Sequence, residues 1–564
     1  NSMEKITGGE ALLLSLIEEN VDTIFGYPGG TIIPVYDKMY YYANRLRHIL
    51  TRHEQGAVHA AQGYARVSGR TGVVFATSGP GATNLTTGLA DAMVDSTPLV
   101  CVVGQVGASF LGTDAFQETD FIGISMPITK WNYQITTAEE VPQIMAKAFY
   151  IARSGRPGPV VVDFTKNAQV GECDFHYQKC SFIRSYVPTP QVNGNEVAAA
   201  AAAVNGAEKP FALVGQGVEL ANAGKELVAF LEKADIPFGW TLLGKSVVPA
   251  DHPLNMGMLG MHGGYAPNKK TNECDVLIAI GMRFDDRITS DTSVYAKQAK
   301  VIHLEIDRAE INKNIKADFP VLANLKESLP QLTQAVSEAR HTGWINSFKP
   351  YAEHELGKVI TPQLHPGEGA ITMGEAIGKI SEKAGGKAIL ATDVGQQQMM
   401  AARYFEVTQP RSTVTSGGLG TMGFGLPAAI GAKVAAPERE VVLFVGDGGI
   451  QMTIQELGTI MQESIGVKIV LLNNSFLGMV RQWQELFYDK RYVATPMVNP
   501  DFVKLAEAYG IRSRRVSERA TLGEAVDEMF AHKGAYLLEV AVQPEGNVFP
   551  MIPAGAPLES IRFE

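Results

Sequence analysis

The sequence has few cysteines, no long apolar run and no cluster of positive charge. Four cysteines occur among 564 residues, and so few, without metal-site spacing, favour a reducing compartment. No uninterrupted apolar segment approaches the roughly 18 residues of a membrane-spanning helix. Lys and Arg number 49 against 59 Asp and Glu, a net charge of −10. We therefore expect neither nucleic acid nor a membrane as a partner.

The first residues lead us to expect a cytoplasmic protein. Asn1 and Ser2 precede Met3 and look like residues left by cloning. No positively charged stretch followed by an apolar one comes after them. The composition, 45% hydrophobic and 19% charged, is ordinary for a globular protein, and the length predicts three or four domains.

Residues 441–483 carry the clearest chemical pattern. A β-branched run is broken by Gly-Asp-Gly, a helix is predicted over 453–464, and a second apolar run ends at Asn-Asn. Such a crossover lays its strands parallel in one sheet. Asp447 and Asn474 are therefore expected at neighbouring carboxyl ends, where α/β sheets bind ligands. Their oxygens, with a backbone carbonyl just beyond, suit Mg²⁺ bound to a diphosphate.

The spacing of the two motifs distinguishes a cofactor site from ordinary turns. Either dipeptide alone is typical of a turn beside a core strand. Asp447 and Asn474 lie 27 residues apart with a helix pattern between them. This arrangement resembles the signature of the thiamine diphosphate (ThDP) enzyme superfamily, and it predicts a site for ThDP and Mg²⁺.

A glutamate at a predicted helix start is the second candidate. Glu54 lies in RHEQGAVHAAQGYAR, directly after a strand pattern. A favourable interaction with the helix dipole would by itself explain an acidic residue there. ThDP becomes reactive when a protonatable carboxyl group hydrogen-bonds its aminopyrimidine ring, and the superfamily places that carboxyl in such a segment. The resemblance therefore implies that Glu54 activates the cofactor.

Alternating strand and helix patterns predict three successive domains. The fold class is α/β, with three doubly wound parallel sheets: two of the ThDP-binding fold and a Rossmann-like middle domain. The predicted boundaries are 3–185 for the pyrimidine-binding domain, 195–345 for the central domain, 368–545 for the diphosphate- and Mg-binding domain and 546–564 for an irregular tail. Linkers are predicted before residue 195 and over 349–368. Because Glu54 and Asp447 fall in different domains, the superfamily would join them by pairing subunits head to tail.

Longer motifs narrow the resemblance. They are RHEQGAVHAAQGYAR, TSGPGATN, GTDAFQETDF, SGRPGPVVVDFTK, GMLGMHG, GMRFDDRIT, SGGLGTMGFGLPAAIGA, GDGGIQMT and LLNNSFLGMVRQWQELFY. Residues 5–555 resemble the catalytic subunit of biosynthetic acetohydroxyacid synthases, also called acetolactate synthases. That family decarboxylates pyruvate on ThDP and joins the two-carbon unit to a second 2-ketoacid. Pyruvate gives 2-acetolactate, for valine and leucine, and 2-ketobutyrate gives 2-aceto-2-hydroxybutyrate, for isoleucine.

The resemblance implies a role for each of several residues. The implied catalytic set is Glu54, Gln117, Lys166, Arg287 and Trp483, and the implied substrate contacts are Phe116, Met261 and Trp483, with Arg287 on the acceptor carboxylate. The implied ThDP contacts are Glu54, Gly420, Met422, Asp447, Gly448, Gly449, Asn474, Phe476, Leu477, Gly478 and Met479. Asp447, Asn474 and the carbonyl of Phe476 would hold Mg²⁺.

The family also binds FAD, which takes no redox part in the main reaction. The implied FAD contacts are Arg156, Gly215, Gln216, Gly217, Thr241, Leu242, Leu259, Met261, His262, Gly281, Arg283, Asp285, Arg287, Glu305 and Asp318. One departure is Glu310, since the family often has asparagine there. Further implied partners are a second copy or three further copies of the chain, as a homodimer or homotetramer, and a small regulatory subunit.

Two alternatives differ from this interpretation in recognisable features. A FAD-free fermentative acetolactate synthase shares the chemistry but should lack the FQETD and GMLGMHG stretches present here. Bound flavin would decide between the two enzymes. A noncatalytic ThDP-fold binding protein should lack the glutamate, and Glu54 is present.

Overall fold

A computed structural model describes residues 4–564 and contains three six-stranded sheets. Met3, where the first domain was predicted to begin, lies outside the described residues. Apolar runs at 72–76, 210–214 and 276–280 form buried strands. Apolar clusters lie on both faces of each sheet, as expected for parallel strands covered by helices on both sides. None of the helices in the described part of the chain has the length and apolarity to span a bilayer.

The amino-terminal domain is built on a doubly wound sheet. Its strands are β1 (Ile6–Thr7), β2 (Thr23–Gly26), β3 (Arg47–Leu50), β4 (Gly72–Ala76), β5 (Leu99–Gln105), β6 (Trp131–Ile135), β7 (Pro159–Thr165) and β8 (Glu172–Cys173). Its helices are α1 (Gly8–Glu18), α2 (Ile33–Met39), α3 (Glu54–Ser68), α4 (Pro80–Thr83), α5 (Thr86–Val94), α6 (Phe121–Ser125), α7 (Val141–Arg153) and α8 (Lys166–Val170). The parallel sheet has the order β3-β2-β4-β5-β7-β6. Strands β1 and β8 pair antiparallel and join the two ends of the domain.

The central domain has the Rossmann strand order. Its elements are α9 (Gly194–Asn205), β9 (Pro210–Val214), α10 (Gln216–Leu220), α11 (Gly224–Ala234), β10 (Phe238–Trp240), β11 (Asn255–Met258), α12 (Tyr265–Thr271), β12 (Val276–Ile280), α13 (Asp286–Thr289), β13 (Lys300–Glu305), β14 (Phe319–Leu322) and α14 (Leu325–Ala335). The order β11-β10-β9-β12-β13-β14 reverses between β9 and β12, and such a switch point opens a crevice at the carboxyl ends of the strands.

The predicted linker at 349–368 is largely helical. After α15 (Thr342–Asn346) come α16 (Lys349–Glu355), a π-helical turn (Leu356–Ile360) and α17 (Thr361–Leu364). The segment between the central and carboxyl-terminal domains is therefore helical over most of its length. Pro350 occupies the first turn of α16, where proline is well tolerated, and Pro362 lies just after the π-helical turn that leads into α17.

The carboxyl-terminal domain repeats the topology of the first. Its elements are α18 (Met373–Ala384), β15 (Ile389–Thr392), α19 (Gln396–Tyr404), β16 (Thr413–Val414), α20 (Gly425–Ala435), β17 (Val441–Gly446), α21 (Asp447–Met452), α22 (Leu457–Glu463), β18 (Lys468–Asn473), α23 (Gly478–Phe487), α24 (Phe502–Ala508), β19 (Arg512–Val516), α25 (Arg519–Ala531) and β20 (Tyr536–Ala541). The order is β16-β15-β17-β18-β20-β19. When the strands are renumbered from one within each six-stranded sheet, both sheets have the same order.

Strands β17 and β18 are adjacent and parallel, as predicted, but the helix between them begins earlier than expected. Helix α21 starts at Asp447 itself, where a carboxylate interacts favourably with the helix dipole. Thr453 interrupts it with φ −135°, and a 3₁₀ turn leads into α22. The prediction of one helix over 453–464 therefore missed a first helical segment that opens at the end of the strand.

The tail after β20 covers the central domain. Ile552 and Leu558 are buried in an apolar cluster with Leu259 and Phe284. The backbone N–H of Ile552 donates to the carbonyl of Met261 at 2.8 Å. The tail has one short 3₁₀ turn (Leu558–Ser560) and agrees with the predicted irregular closing segment.

Helices α3 and α20 join the two outer domains through small residues. A Cβ built at Gly63 would overlap the carbonyl of Ala428, and a Cβ built at Gly431 would overlap the carbonyl of Ala60. The two backbones therefore touch, which only glycine permits at these positions.

We expect Gly431→Ala to lower the free energy of unfolding by about 1–3 kcal/mol, because the added methyl group must push α20 away from α3. Urea unfolding followed by circular dichroism measures the effect.

Gly523→Ala in α25 is the matched control. No described atom lies within 4 Å of a Cβ built there, so the change should stabilise the helix by about 0.5–1 kcal/mol. Equal stability of Gly431→Ala and the unchanged protein would contradict the close approach.

Candidate active site

Asp447 and Asn474 follow the adjacent strands β17 and β18 and are both buried, 1% and 5% exposed. Asn499 donates from its Nδ2 to Asp447 Oδ2 at 2.7 Å. Burial raises the pKa of the Asp447 carboxyl, although the Asn499 hydrogen bond opposes the shift. Asn499 was missed by sequence reasoning because Asn-Pro in a loop is an ordinary turn signal.

The turn after Asn474 is held by a later segment of the chain. Asn474 Nδ2 donates to Gln396 Oε1 at 3.3 Å, and its Oδ1 accepts from Phe476 N at 3.1 Å. Leu477 N donates to Thr495 O at 2.9 Å, and Met497 N donates to Ser475 O at 2.8 Å. These contacts fold the segment that carries Phe476 and Leu477 back over the start of α21.

Gly448 brings together three residues of the predicted ThDP set. A Cβ at this position would lie 2.6 Å from Leu477 Cδ2 and 3.5 Å from Met422 Cε. Gly448, Leu477 and Met422 thus surround the amino terminus of α21. Free N–H groups and the helix dipole make such a terminus an anion site.

Asp393 fixes the glycine-rich loop that precedes α20. Its carboxylate is buried and accepts from Gly423 N at 3.0 Å, from Gly425 N at 2.9 Å and from Val394 N at 2.8 Å. Burial raises its pKa to about 6. Asp393 was not among the predicted site residues. It directly follows β15, as Asp447 directly follows β17, and this shared position was the signal that could have identified it.

Two carboxylates of the amino-terminal domain hold the same loop from the other side. Asp95 accepts from Gly417 N at 2.9 Å and from Gly418 N at 2.8 Å, and it pairs with Arg66 at 2.9 Å. Asp91 accepts from Thr421 Oγ1 at 2.9 Å. The loop that carries Gly420 and Met422 is therefore positioned by both outer domains.

A cavity of about 840 Å³ opens at the switch point of the central sheet. It is lined by most residues of the predicted FAD set: Arg156, Gln216, Gly217, Thr241, Leu242, Leu259, Met261, His262, Gly281, Arg283, Asp285, Arg287 and Glu305. From the carboxyl-terminal domain, Gly420, Met479 and Trp483 line the same cavity. The structure therefore brings the predicted FAD and substrate residues of these two domains together.

Two residues of the predicted FAD set do not line the cavity. Gly215 packs beneath the turn, where a Cβ would overlap Gly281 O. Asp318 accepts from Val301 N at 2.8 Å, near the start of β13. Because β14 is parallel to β13, the residue just before it must lie at the amino end of the sheet. Asp318 therefore lies away from the cavity, whereas Asn324, which follows the carboxyl end of β14, lines it.

The charged side chains that line the cavity include a buried glutamate, Glu305, and an arginine, Arg156, that is bound by two carboxylates. Burial raises the pKa of Glu305 at the end of β13 to about 7. Arg156 Nη1 donates to Asp307 Oδ2 at 3.2 Å and to Glu310 Oε1 at 3.1 Å. Glu310, which stands where the family often has asparagine, thus binds the arginine that the resemblance assigns to FAD.

Met261, His262 and Arg287 lie close together among the residues that line the cavity. Arg287 Nη1 lies 2.9 Å from Met261 Sδ. Burial, together with the charges of Arg287 and Arg403, lowers the pKa of His262 to about 3, so its imidazole is neutral at physiological pH. Arg287 is exposed and remains the cationic group that an anionic ligand would meet.

Apart from Arg156, the predicted site residues of the amino-terminal domain do not line that cavity. Glu54, 8% exposed, begins α3, and its Oε1 accepts from Asn84 Nδ2 at 3.0 Å. Phe116 is 87% exposed, Gln117 has φ +58°, and Lys166 begins α8 at the surface. None of these four is among the described residues that line the cavity.

Three family models match successive parts of the chain. The thiamine pyrophosphate enzyme N-terminal TPP binding domain matches residues 6–124, the central domain matches 197–332, and the C-terminal TPP binding domain matches 393–540. Each of the two TPP binding matches covers most strands of one of the two sheets that share a strand order.

Similar proteins extend the likeness over nearly the whole chain. The acetolactate synthase isozyme 2 large subunit of Escherichia coli (strain K12) is 45% identical over 552 residues, 98% of this chain and 98% of that protein. The acetolactate synthase large subunit of Lactococcus lactis subsp. lactis (strain IL1403) is 44% identical over 557 residues, 98% and 96% of the two chains. The acetolactate synthase of Mycobacterium leprae (strain TN) is 42% identical over 572 residues, 100% and 91%.

The chain belongs to the acetolactate synthase large-subunit family. As a member of that family it is a ThDP-dependent enzyme, and the noncatalytic alternative is wrong. The match places a ThDP-binding domain at each end of the acetolactate synthase, around the central domain that holds the cavity.

Proposed function

We propose that this acetolactate synthase decarboxylates pyruvate and joins the two-carbon unit to a second 2-ketoacid, which is pyruvate or 2-ketobutyrate. The products would be 2-acetolactate and 2-aceto-2-hydroxybutyrate, precursors of valine, leucine and isoleucine. The observation that carries the proposal is the start of α21, where Asp447 and Asn474 meet beside Met422 and Gly448. A cytoplasmic location belongs to the proposal and is supported by four free cysteines.

Magnesium fits the donor set at the ends of β17 and β18. Asp447 and Asn474 offer a carboxylate and an amide oxygen, and Mg²⁺ prefers such hard ligands. A buried carboxylate also needs a compensating positive charge. Asp447, Asn474 and the carbonyl of Phe476 would hold the ion, and Gly448 and Gly449 at the start of α21 would meet the diphosphate.

Glu54 would act from a second copy of the chain. When bound, ThDP supplies the nucleophilic carbon that adds to the keto group of pyruvate. Glu54 would hold a proton at the cofactor's aminopyrimidine ring, with Asn84 keeping the carboxyl in place. Because the superfamily joins these two domains by pairing subunits head to tail, a homodimer is the smallest assembly that we propose. Exposed Phe116 and Phe110, 87% and 58% accessible, offer apolar surface for the partner.

Larger assemblies extend this proposal. A homotetramer would pair two such dimers. A small regulatory subunit as partner is supported by the name "large subunit" that relatives carry.

The substrate side would combine residues of both chains. Arg287, Met261 and Trp483 line one cavity, so Arg287 would bind the acceptor carboxylate and Trp483 would contact its alkyl group. Phe116, Gln117 and Lys166 would come from the second chain. The apolar indole suits discrimination by one methylene, which is worth about 1–3 kcal/mol.

FAD fits the central cavity. The volume of about 840 Å³ lies within the range of roughly 300–1,000 Å³ of small-molecule sites. Glycines of the β9 and β12 turns let a diphosphate approach the backbone, and Glu305 at the end of β13 suits ribose hydroxyls. The FAD-free enzyme remains the second candidate, favoured by the Arg156–Glu310 contact, which occupies an arginine that FAD would need.

The activity is tested by adding pyruvate, ThDP, Mg²⁺ and FAD and quantifying 2-acetolactate. We expect Glu54→Gln to retain the cofactor but to lose roughly 10² to 10⁴-fold in kcat, because an amide cannot hold the required proton. Absence of acetolactate with the unchanged protein contradicts the proposed activity, and near-normal turnover of the variant contradicts the role of Glu54.

We expect Asp447→Ala to weaken Mg²⁺-dependent ThDP binding by at least about 100-fold, since loss of an outer ligand partner alone costs roughly 10–100-fold. Calorimetric titration of ThDP at fixed Mg²⁺ measures the affinity. Asp489→Ala is the control, because that side chain is 92% exposed. Unchanged affinity in Asp447→Ala would place the metal elsewhere.

We expect Glu310→Gln to tighten FAD binding by about 2- to 10-fold, because it removes one of the two carboxylates that bind Arg156 and a charge that repels the diphosphate. Flavin fluorescence titration measures the affinity. Glu338→Gln, at a side chain that is 77% exposed, is the control. Equal affinity in both variants and the unchanged protein would show that Glu310 does not oppose FAD.

A further inference from the structure

The segment before Glu54 is held by a carboxylate of the carboxyl-terminal domain. Glu456 ends the 3₁₀ turn between α21 and α22 and is fully buried. Its two oxygens lie 3.0 and 3.2 Å from Arg52 N, and Oε2 also accepts from Thr459 Oγ1 at 2.9 Å. Because Arg52 precedes Glu54 by two residues, this contact fixes the chain where α3 begins.

The carboxylate of Glu456 also lies over the first turn of α3. A Cβ built at Gly56 would overlap it, which explains the glycine at that position. The first N–H groups of a helix lack acceptors within the helix, and the dipole there is positive. Glu456 therefore stabilises the start of a helix that belongs to another domain.

The Arg52 side chain anchors the same segment to α22. Its Nη2 donates to Gly458 O at 3.3 Å and to Gln462 Oε1 at 2.8 Å. Backbone and side chain of Arg52 are thus both bound to the carboxyl-terminal domain. The position of the next residues, His53 and Glu54, follows from these contacts.

We propose that Glu456 is a positioning residue for Glu54: it fixes the start of α3 so that the Glu54 carboxyl reaches the cofactor. The inference rests on the proposed function. A carboxyl group must lie within hydrogen-bond reach of the ring that it serves, and a misplacement of about 1 Å can cost roughly 100-fold in rate. Asn84 restrains only the Glu54 side chain, whereas Glu456 restrains the backbone from which that side chain extends.

The alternative is that Glu456 only joins two domains. The two roles differ at the step in which Glu54 acts, the exchange of the thiazolium C2 proton of ThDP. NMR after acid quenching in D₂O measures that exchange separately from turnover. A purely structural role would alter stability and leave exchange by the folded enzyme unchanged.

The test compares Glu456→Ala with Glu456→Gln in the ThDP-loaded enzyme. We expect Glu456→Ala to lower both kcat and the C2 exchange rate by roughly 10- to 100-fold, with the KM for pyruvate within about twofold. Glu456→Gln keeps an amide oxygen that can accept from Arg52 N, so it should rescue both rates. Unchanged exchange in Glu456→Ala, or no rescue by glutamine, would overturn the proposal.

A second comparison uses Gly56. In the unchanged protein, Gly56→Ala brings a methyl group against the Glu456 carboxylate and should lower kcat. In the Glu456→Ala background that space is free, so the same change should cause no further loss. Equal losses in both backgrounds would overturn the proposal. If Glu456→Ala fails to fold, Gly56→Ala alone still tests it, because an unchanged kcat and an unchanged C2 exchange rate in that variant would overturn the proposal.

Hydrogen exchange of the Arg52 amide separates this inference from the proposed function. Mass spectrometry should show faster exchange around Arg52 in Glu456→Ala and unchanged exchange in Glu456→Gln. This result does not depend on acetolactate formation. If the unchanged protein makes no acetolactate, the proposed function fails. Equal amide exchange in the two variants means instead that Glu456 does not hold the segment.

Discussion

Helices α3 and α20 touch at their backbones, and the geometry of both outer domains depends on that contact. Gly63 and Gly431 leave room for the facing carbonyls, so the two sheets approach closely enough for side chains of one to bond the main chain of the other. Asp95 reaches the loop at Gly417 and Gly418. If the two helices lay further apart, the Asp95 carboxylate would not reach the N–H groups of Gly417 and Gly418.

Buried carboxylates restrain the loop conformations that the glycines by themselves leave free. Glycine-rich loops have few side-chain contacts and much conformational freedom. In this chain Asp393, Asp95 and Glu456 each accept backbone N–H groups beside a candidate site residue. A buried charge is costly unless it is hydrogen-bonded, so each of these contacts strongly favours one loop conformation. The segments that would hold the cofactor thus gain rigidity from residues that do not touch it.

Local patterns predicted the continuously buried strands well. They predicted less well the helices that contain proline and the position of residues beside strand ends. The apolar run at β12 could only be a buried strand, and the adjacency of β17 and β18 followed from a single crossover. The linker predicted over 349–368 is largely helical, with Pro350 in the first turn of α16 and Pro362 just after a π-helical turn. Asp318 was included because of the family resemblance, whereas the direction of β14 puts it at the end of the sheet opposite the cavity.

Residue patterns along the chain were enough to predict the three α/β domains and the convergence of Asp447 with Asn474, because both follow from the order of strands and helices. Short motifs were enough to show the resemblance to acetolactate synthases. The tertiary structure alone decided that Asn499 bonds Asp447 and that Glu456 holds the start of α3. It also decided that Glu54 stands apart from the central cavity of its own chain. Contacts between residues tens or hundreds of positions apart depend on how helices and sheets pack, and no local periodicity records that packing.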